Sequence, residues 1–125
     1  MSRSVLIQLA RDSIQEVLEA GRTIDKKALI NEHPLLNEKI STTVNLYLGQ
    51  KLRGSSTSSS DINSLIEEII YHAKKSAFQD KNFTPITTSE YLKCEIELLL
   101  RTPDGVISEK DPSILSTHAI KNIEA

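Results

Sequence analysis

The sequence contains no tryptophan, one cysteine, four glycines and four prolines, and aromatic residues make up only 4% of it. So few rings leave little on which bases could stack, which argues against nucleic-acid readout. The lone Cys94 excludes an intramolecular disulfide framework and fits a reducing compartment. Charge of one sign is also scarce: the net charge is −2, and lysines and arginines are interspersed with acids instead of forming a stripe that could displace phosphate counterions. No run approaches the roughly 20 apolar residues of a membrane helix. Polar residues interrupt Val5-Leu6-Ile7-Gln8-Leu9-Ala10-Arg11-Asp12 too early for a signal sequence. The expectation is a cytoplasmic protein with neither a nucleic-acid nor a membrane partner.

Several chemistries lack their residues. His33, His72 and His118 fall in three different segments, and Cys94 lies on the apolar side of its strand, so no metal site is expected. Walker and dinucleotide glycine patterns are missing, as is a Gly-x-Ser-x-Gly elbow, and no cofactor is expected. A Ser-His-Asp assembly using His72 and Asp61 has nothing in its spacing to select one serine, so catalytic residues stay unassigned. Glu95 and Glu97 share the solvated side of a strand, which favours a surface role over acid-base work.

What is present is one domain's worth of patterned chain. The 125 residues, 38% hydrophobic and 26% charged, suit a single core. Leu6, Leu9, Ala10, Ile14, Val17 and Leu18 form a helical stripe over Val5 to Ala20, closed by Gly21 in the left-handed region, and a short helix is expected at Asp25 to Asn31. Alternation over Ile40 to Leu48 predicts a half-buried strand. Gly49-Gln50 supplies a two-residue hairpin turn into Lys51-Leu52-Arg53, which Gly54 ends or bulges. The run Ser55 to Ser60 reads as a mobile loop.

A second helical stripe, Leu65, Ile66, Ile69, Ile70, Ala73 and Ala77, is expected to start at a cap on Ser60 or Asp61, or at a Ser64/Glu67 capping box. Thr87-Thr88-Ser89 reads as a connection, Tyr91 to Arg101 as a long strand, and Pro103-Asp104-Gly105 as a turn. A short helix is expected over Ile114, Leu115, Ala119 and Ile123. This order predicts an α+β fold, a mostly antiparallel sheet with helices packed on one face.

Four segments resemble the AMMECR domain family, the protein A-like members of the AmmeMemoRadiSam system, across about residues 5 to 107. They are Thr42 to Gly54, Ser64 to Ile70, Ser76 to Pro85 with its Ala-Phe-x-Asp-x-x-Phe-x-Pro pattern, and Cys94-Glu95-Ile96-Glu97-Leu98. The resemblance implies an α+β fold with duplicated β-α-β-β units, a cytoplasmic protein, and an association with Memo-like and radical S-adenosylmethionine proteins. It implies no particular reaction. Where the family reads Leu-Arg-Gly-Cys-Ile-Gly this chain reads Leu52-Arg53-Gly54-Ser55-Ser56-Thr57, with serine in place of the cysteine. The family's second half, with a Gly-rich hairpin and closing helix, is not seen, so residues 1–125 read as one AMMECR-like domain truncated at its C-terminus. Arg53, Asp80 and Glu95 occupy the family's motif positions.

The functional expectation is a noncatalytic binding or accessory module. Its alternative is an enzyme, or an enzyme component, that holds a small anionic or nucleotide-like ligand at the Arg53 to Ser60 loop. The binding candidates are Arg53, Gly54, Ser55, Ser56, Asp80 and Glu95. For the anion site, the guanidinium and the serine hydroxyls are expected to meet the N-terminus of the following helix. If the strand from Tyr91 to Arg101 lacks a later partner, its open edge predicts a symmetric homodimer.

Overall fold

The computed structural model describes residues 4–58, 63–102 and 104–111. Four helices and four strands follow one another as α1 (Val5–Leu18), α2 (Lys26–Glu32), a 3-10 turn (Pro34–Asn37), β1 (Ser41–Leu48), β2 (Lys51–Thr57), α3 (Leu65–Phe78), α4 (Thr88–Lys93), β3 (Cys94–Thr102) and β4 (Gly105–Asp111). The strands form one sheet in the order β2-β1-β3-β4, antiparallel at each pairing. Helix α3 packs on β1 and β2 and is backed by α1. The helices cover one face of the sheet, as the patterning predicts.

The core follows from the two periodicities. Val44 and Leu46 of β1 and Cys94, Ile96, Leu98 and Leu100 of β3 point to the covered face, because residues two apart share a side. Against them lie Leu9, Ala10 and Ile14 of α1 and the whole α3 stripe, Leu65, Ile66, Ile69, Ile70, Ala73 and Ala77, all buried. Cys94 is a core residue, and burial pushes its thiol up to about 11, so it stays protonated.

Arg11, which the stripe places among polar positions, is instead buried. Its Nε donates to Asp111 at 2.8 Å, Nη2 donates to the Cys94 carbonyl at 3.1 Å, and the guanidinium lies 5.2 Å from the Tyr91 ring centre. It clamps α1 to the ends of β3 and β4.

Several expectations are corrected. Helix α1 closes through Ala20 (φ 53°), not Gly21: Gly21 N–H donates to Glu16 O and Ala20 N–H to Val17 O, the crossed pair of a Schellman end. At α3 the Ser64/Glu67 capping box does not form. Ser64 is the cap by backbone alone, and the Leu65 N–H donates to Glu38 O at 2.7 Å. The expected connection at residues 87–89 opens α4, whose capping box joins Thr87 and Glu90, so the strand starts at Cys94 and not at Tyr91.

Strand β3 has no open edge. It pairs with β1 on one side and with β4 on the other, which removes the edge-pairing argument for a homodimer. Residues Ser55 to Thr57 are strand and not loop. Ser59, Ser60, Asp61 and the helix expected from Ile114 onward lie outside the described residues. Among the described residues, no helix is long and apolar enough to cross a membrane.

Candidate functional site

The site is positioned by a hairpin with one irregularity. Gly49 (φ 64°) and Gln50 form the loop between the paired Leu48 and Lys51, a left-handed position that glycine takes without strain. Leu46 then pairs with Gly54 and Tyr47 with Leu52, so Arg53 is the extra residue of a bulge. The bulge turns Arg53 off the ladder toward α4 and the segment before it. There Nε and Nη2 donate to the two Glu90 oxygens at 3.1 and 3.0 Å, Nη2 also donates to Thr84 O at 2.8 Å, and the guanidinium stands 5.4 Å from the Phe83 ring centre. The forked bond to Arg53 holds the Glu90 carboxyl below its ordinary range, and that same bond raises the guanidinium's pKa. Nη1 is buried without a partner among the described residues.

Past the bulge, Gly54 lies directly beneath α3. A Cβ there would stand 2.1 Å from the Ser76 carbonyl oxygen, so only glycine admits this approach. Ser76 is near the end of α3 and Ser64 is its cap, which separates Gly54 from the helix N-terminus by about 18 Å of axis. Arg53 therefore does not join the start of α3, and among the described residues the guanidinium and the helix N-terminus of the expected anion site stand apart. Strand β2 runs along the helix, and the guanidinium is taken up by Glu90.

The next two residues face opposite ways. Ser55 N–H, at the outer edge of β2, donates to Asp80 Oδ2 at 2.9 Å, while its hydroxyl, on the uncovered face, donates to Asn45 Oδ1 at 2.6 Å. Asn45 Nδ2 and Tyr47 OH both donate to Glu97 Oε1, at 3.0 and 3.2 Å, and Lys110 Nζ stands 3.9 Å from the other oxygen of Glu97. Burial, reinforced by Glu97, pushes the Tyr47 hydroxyl above its usual pKa and keeps it a donor. Glu95 is exposed on this face opposite Tyr47, at a hollow of about 170 Å³ that Glu97 and Lys110 also line.

Ser56 faces the helices. Its Oγ is 2.6 Å from His72 Nδ1, and His72 Nε2 is 2.9 Å from Glu68 Oε2. Burial holds the imidazole below its ordinary pKa against the opposing pull of Glu68.

The structure thus gathers Arg53, Gly54, Ser55 and Asp80 along the middle of β2, sets Glu95 two strands away on Ser55's face, and places Ser56 on the other face. Asn45, Tyr47 and Glu97 escape sequence reasoning because strand alternation marks them only as solvated, and Lys110 because its segment shows no strand pattern. The Glu68/His72 pair carried a signal, the four-residue spacing that puts two side chains on one helix face. Among the described residues, no group of three or more His, Cys, Asp or Glu could hold a metal ion.

A model of the AMMECR1 family matches residues 7–118. No curated protein matches the chain. A solved structure, that of uncharacterized protein PH0010 from Pyrococcus horikoshii, is 31% identical and superposes with a TM-score of 0.69 over 78% of this chain and 50% of that one. The chain therefore spans about half the length of that protein.

Proposed function

The chain belongs to the AMMECR1 family, and from that premise we propose that it is a noncatalytic binding module at the uncovered face of its sheet, which docks on a protein partner there. The observation that carries this reading is the hydrogen-bonded row Ser55–Asn45–Glu97–Tyr47, held in place by β1, β2 and β3. The Ser55 hydroxyl, at the family's cysteine position, donates to an amide oxygen and has no base beside it, so it is a recognition group and not a nucleophile. A surface of amide, phenol, hydroxyl and carboxylate groups with Leu99 among them suits a protein surface better than a polyanion.

The family resemblance names the partners to try, a Memo-like protein and a radical S-adenosylmethionine protein of the same organism. The test is titration calorimetry of the chain against each purified protein. Binding to one of them is expected, lost in Leu99→Arg, which puts a charge at the middle of the face, and kept in Glu19→Arg on the helical side. Absence of binding to both proteins, or equal binding by Leu99→Arg, overturns the reading.

A further inference from the structure

On the uncovered face, we propose that the hollow between Tyr47, Glu95, Glu97 and Lys110 seats an arginine side chain presented by the protein partner. This rests on the docking reading and deepens it by naming the chemistry of the partner's contact. The register brings the four groups together. Tyr47 pairs with Glu95 and Glu97 with Lys110, so two successive rows of the ladder, drawn from β1, β3 and β4, meet at one end of the sheet. The hollow measures about 170 Å³, below the roughly 300–1,000 Å³ of small-molecule pockets. It has room for one long side chain and too little for a cofactor.

Its carboxylates are only partly satisfied. Glu97 Oε1 accepts from Asn45 Nδ2 and Tyr47 OH, but Oε2 has only Lys110 Nζ at 3.9 Å, too far for a hydrogen bond. Glu95 is exposed and, among the described residues, has no hydrogen bond or ion pair. One cation thus stands against two carboxylates. The chain itself shows what the hollow attracts, because Lys110 Nζ lies 5.8 Å from the centre of the Tyr47 ring, within cation–π reach. That lysine side chain stays 72% exposed and is loosely held.

An arginine suits the hollow better than this lysine. A guanidinium is planar, so it can lie on the Tyr47 ring while its fork of N–H groups reaches Glu97 Oε2 and Glu95, whereas an ammonium is a point charge. The rest of the face sets the direction of docking. Arg101, exposed and without an acidic partner among the described residues, lies on the same side of β3 about 13 Å beyond Glu97. With Glu95 and Glu97 at one end, Leu99 in the middle and Arg101 at the other, a cationic group is drawn to the hollow and turned away from the far end.

The test is an NMR titration of the full chain with the peptide acetyl-Gly-Arg-Gly-amide, and with its citrulline counterpart, which keeps the shape and loses the charge. The arginine peptide is expected to move the amide signals of Tyr47, Glu95, Glu97 and Lys110 with millimolar affinity. The citrulline peptide should leave them in place. Lys110→Gln removes the competing cation and should tighten binding about 2- to 5-fold, and Glu95→Gln should weaken it by about the same factor. Arg101→Gln should change it little, since it lies more than the roughly 8 Å Debye length of 0.15 M salt from Glu97. Lys110→Gln and Arg101→Gln each remove one positive charge, so a difference between them reports the hollow and not the net charge.

The two peptides decide the matter on the wild-type chain, without any variant. No shift at these amides, equal shifts from the citrulline peptide, or equal tightening in Lys110→Gln and Arg101→Gln overturns the proposal. The docking reading fails on a different result. Peptide shifts at the hollow with no binding of either partner protein keep the arginine seat and remove the docking reading, whereas Leu99-dependent binding of a partner with unmoved hollow signals does the reverse.

Discussion

The two faces of β2 carry nearly the same residue types and behave in opposite ways. On the covered side Gly54 and Ser56 press against Ser76 and His72 of α3. On the uncovered side Ser55 and Thr57 bond laterally to Asn45 and Thr43 and leave their outer surface free for a partner. A strand of small polar residues is not a flexible strand. Its smallness lets a helix approach on one side and keeps the other side flat. The comparison predicts that changes on the covered side cost stability, whereas changes on the open side cost binding.

The largest effect is expected at the clamp on the covered side. Asp111→Ala takes the carboxylate away from the buried Arg11 guanidinium and should destabilise by about 3–5 kcal/mol, read as a lower midpoint in urea unfolding. Gly54→Ala comes next. Its new methyl meets backbone and not a flexible side-chain tip, so α3 must shift, at a cost of about 1–3 kcal/mol by the same measurement.

A third test sharpens the contrast by pH. His72 has a lowered pKa in the folded chain, so the unfolded chain binds the extra proton between that value and 6.5. Stability should therefore be fully present above about pH 6.5 and fall as the solution is acidified below it. His72→Gln should flatten that part of the curve in thermal unfolding. The smallest effect belongs to the open side. Ser55→Ala removes one neutral hydrogen bond and should cost about 0.5–1.5 kcal/mol while weakening partner binding. If Ser55→Ala proved as damaging to stability as Gly54→Ala, the division between the faces would fail.

The stripes of α1 and α3 and the alternation of β1 and β3 were legible because each buries one face against a common core, so burial and periodicity agree. Strand β4 was not legible. Val106 and Ile107 are exposed, and the segment Gly105 to Asp111 shows no alternation, since its register comes from β3 and not from its own side chains. Helix α4 is six residues long and is fixed by its Thr87/Glu90 capping box, a signal too short to outweigh the strand pattern behind it. At the site, family motif positions located Ser55 and Asp80, but the bulge that redirects Arg53 to Glu90 depends on a register between distant strands. The serine run misled because composition records polarity and not proximity to α3.

The order in which the sheet's ladders close has a kinetic consequence. Leu48 to Lys51 and Thr102 to Gly105 each join their strands through two residues, so both hairpins are local and can form within about 1–10 μs. The central ladder, Ser41 with Arg101 through Leu48 with Cys94, must close a loop containing β2, α3 and α4, and its entropy cost falls before most contacts are made. Folding is then the docking of two preformed ribbons edge to edge, with α3 packing on the first of them. Val44→Ala and Leu98→Ala, a cross-strand pair on the covered face, should slow refolding in stopped flow, whereas Gly49→Ala should mainly shift the fast hairpin step that precedes it.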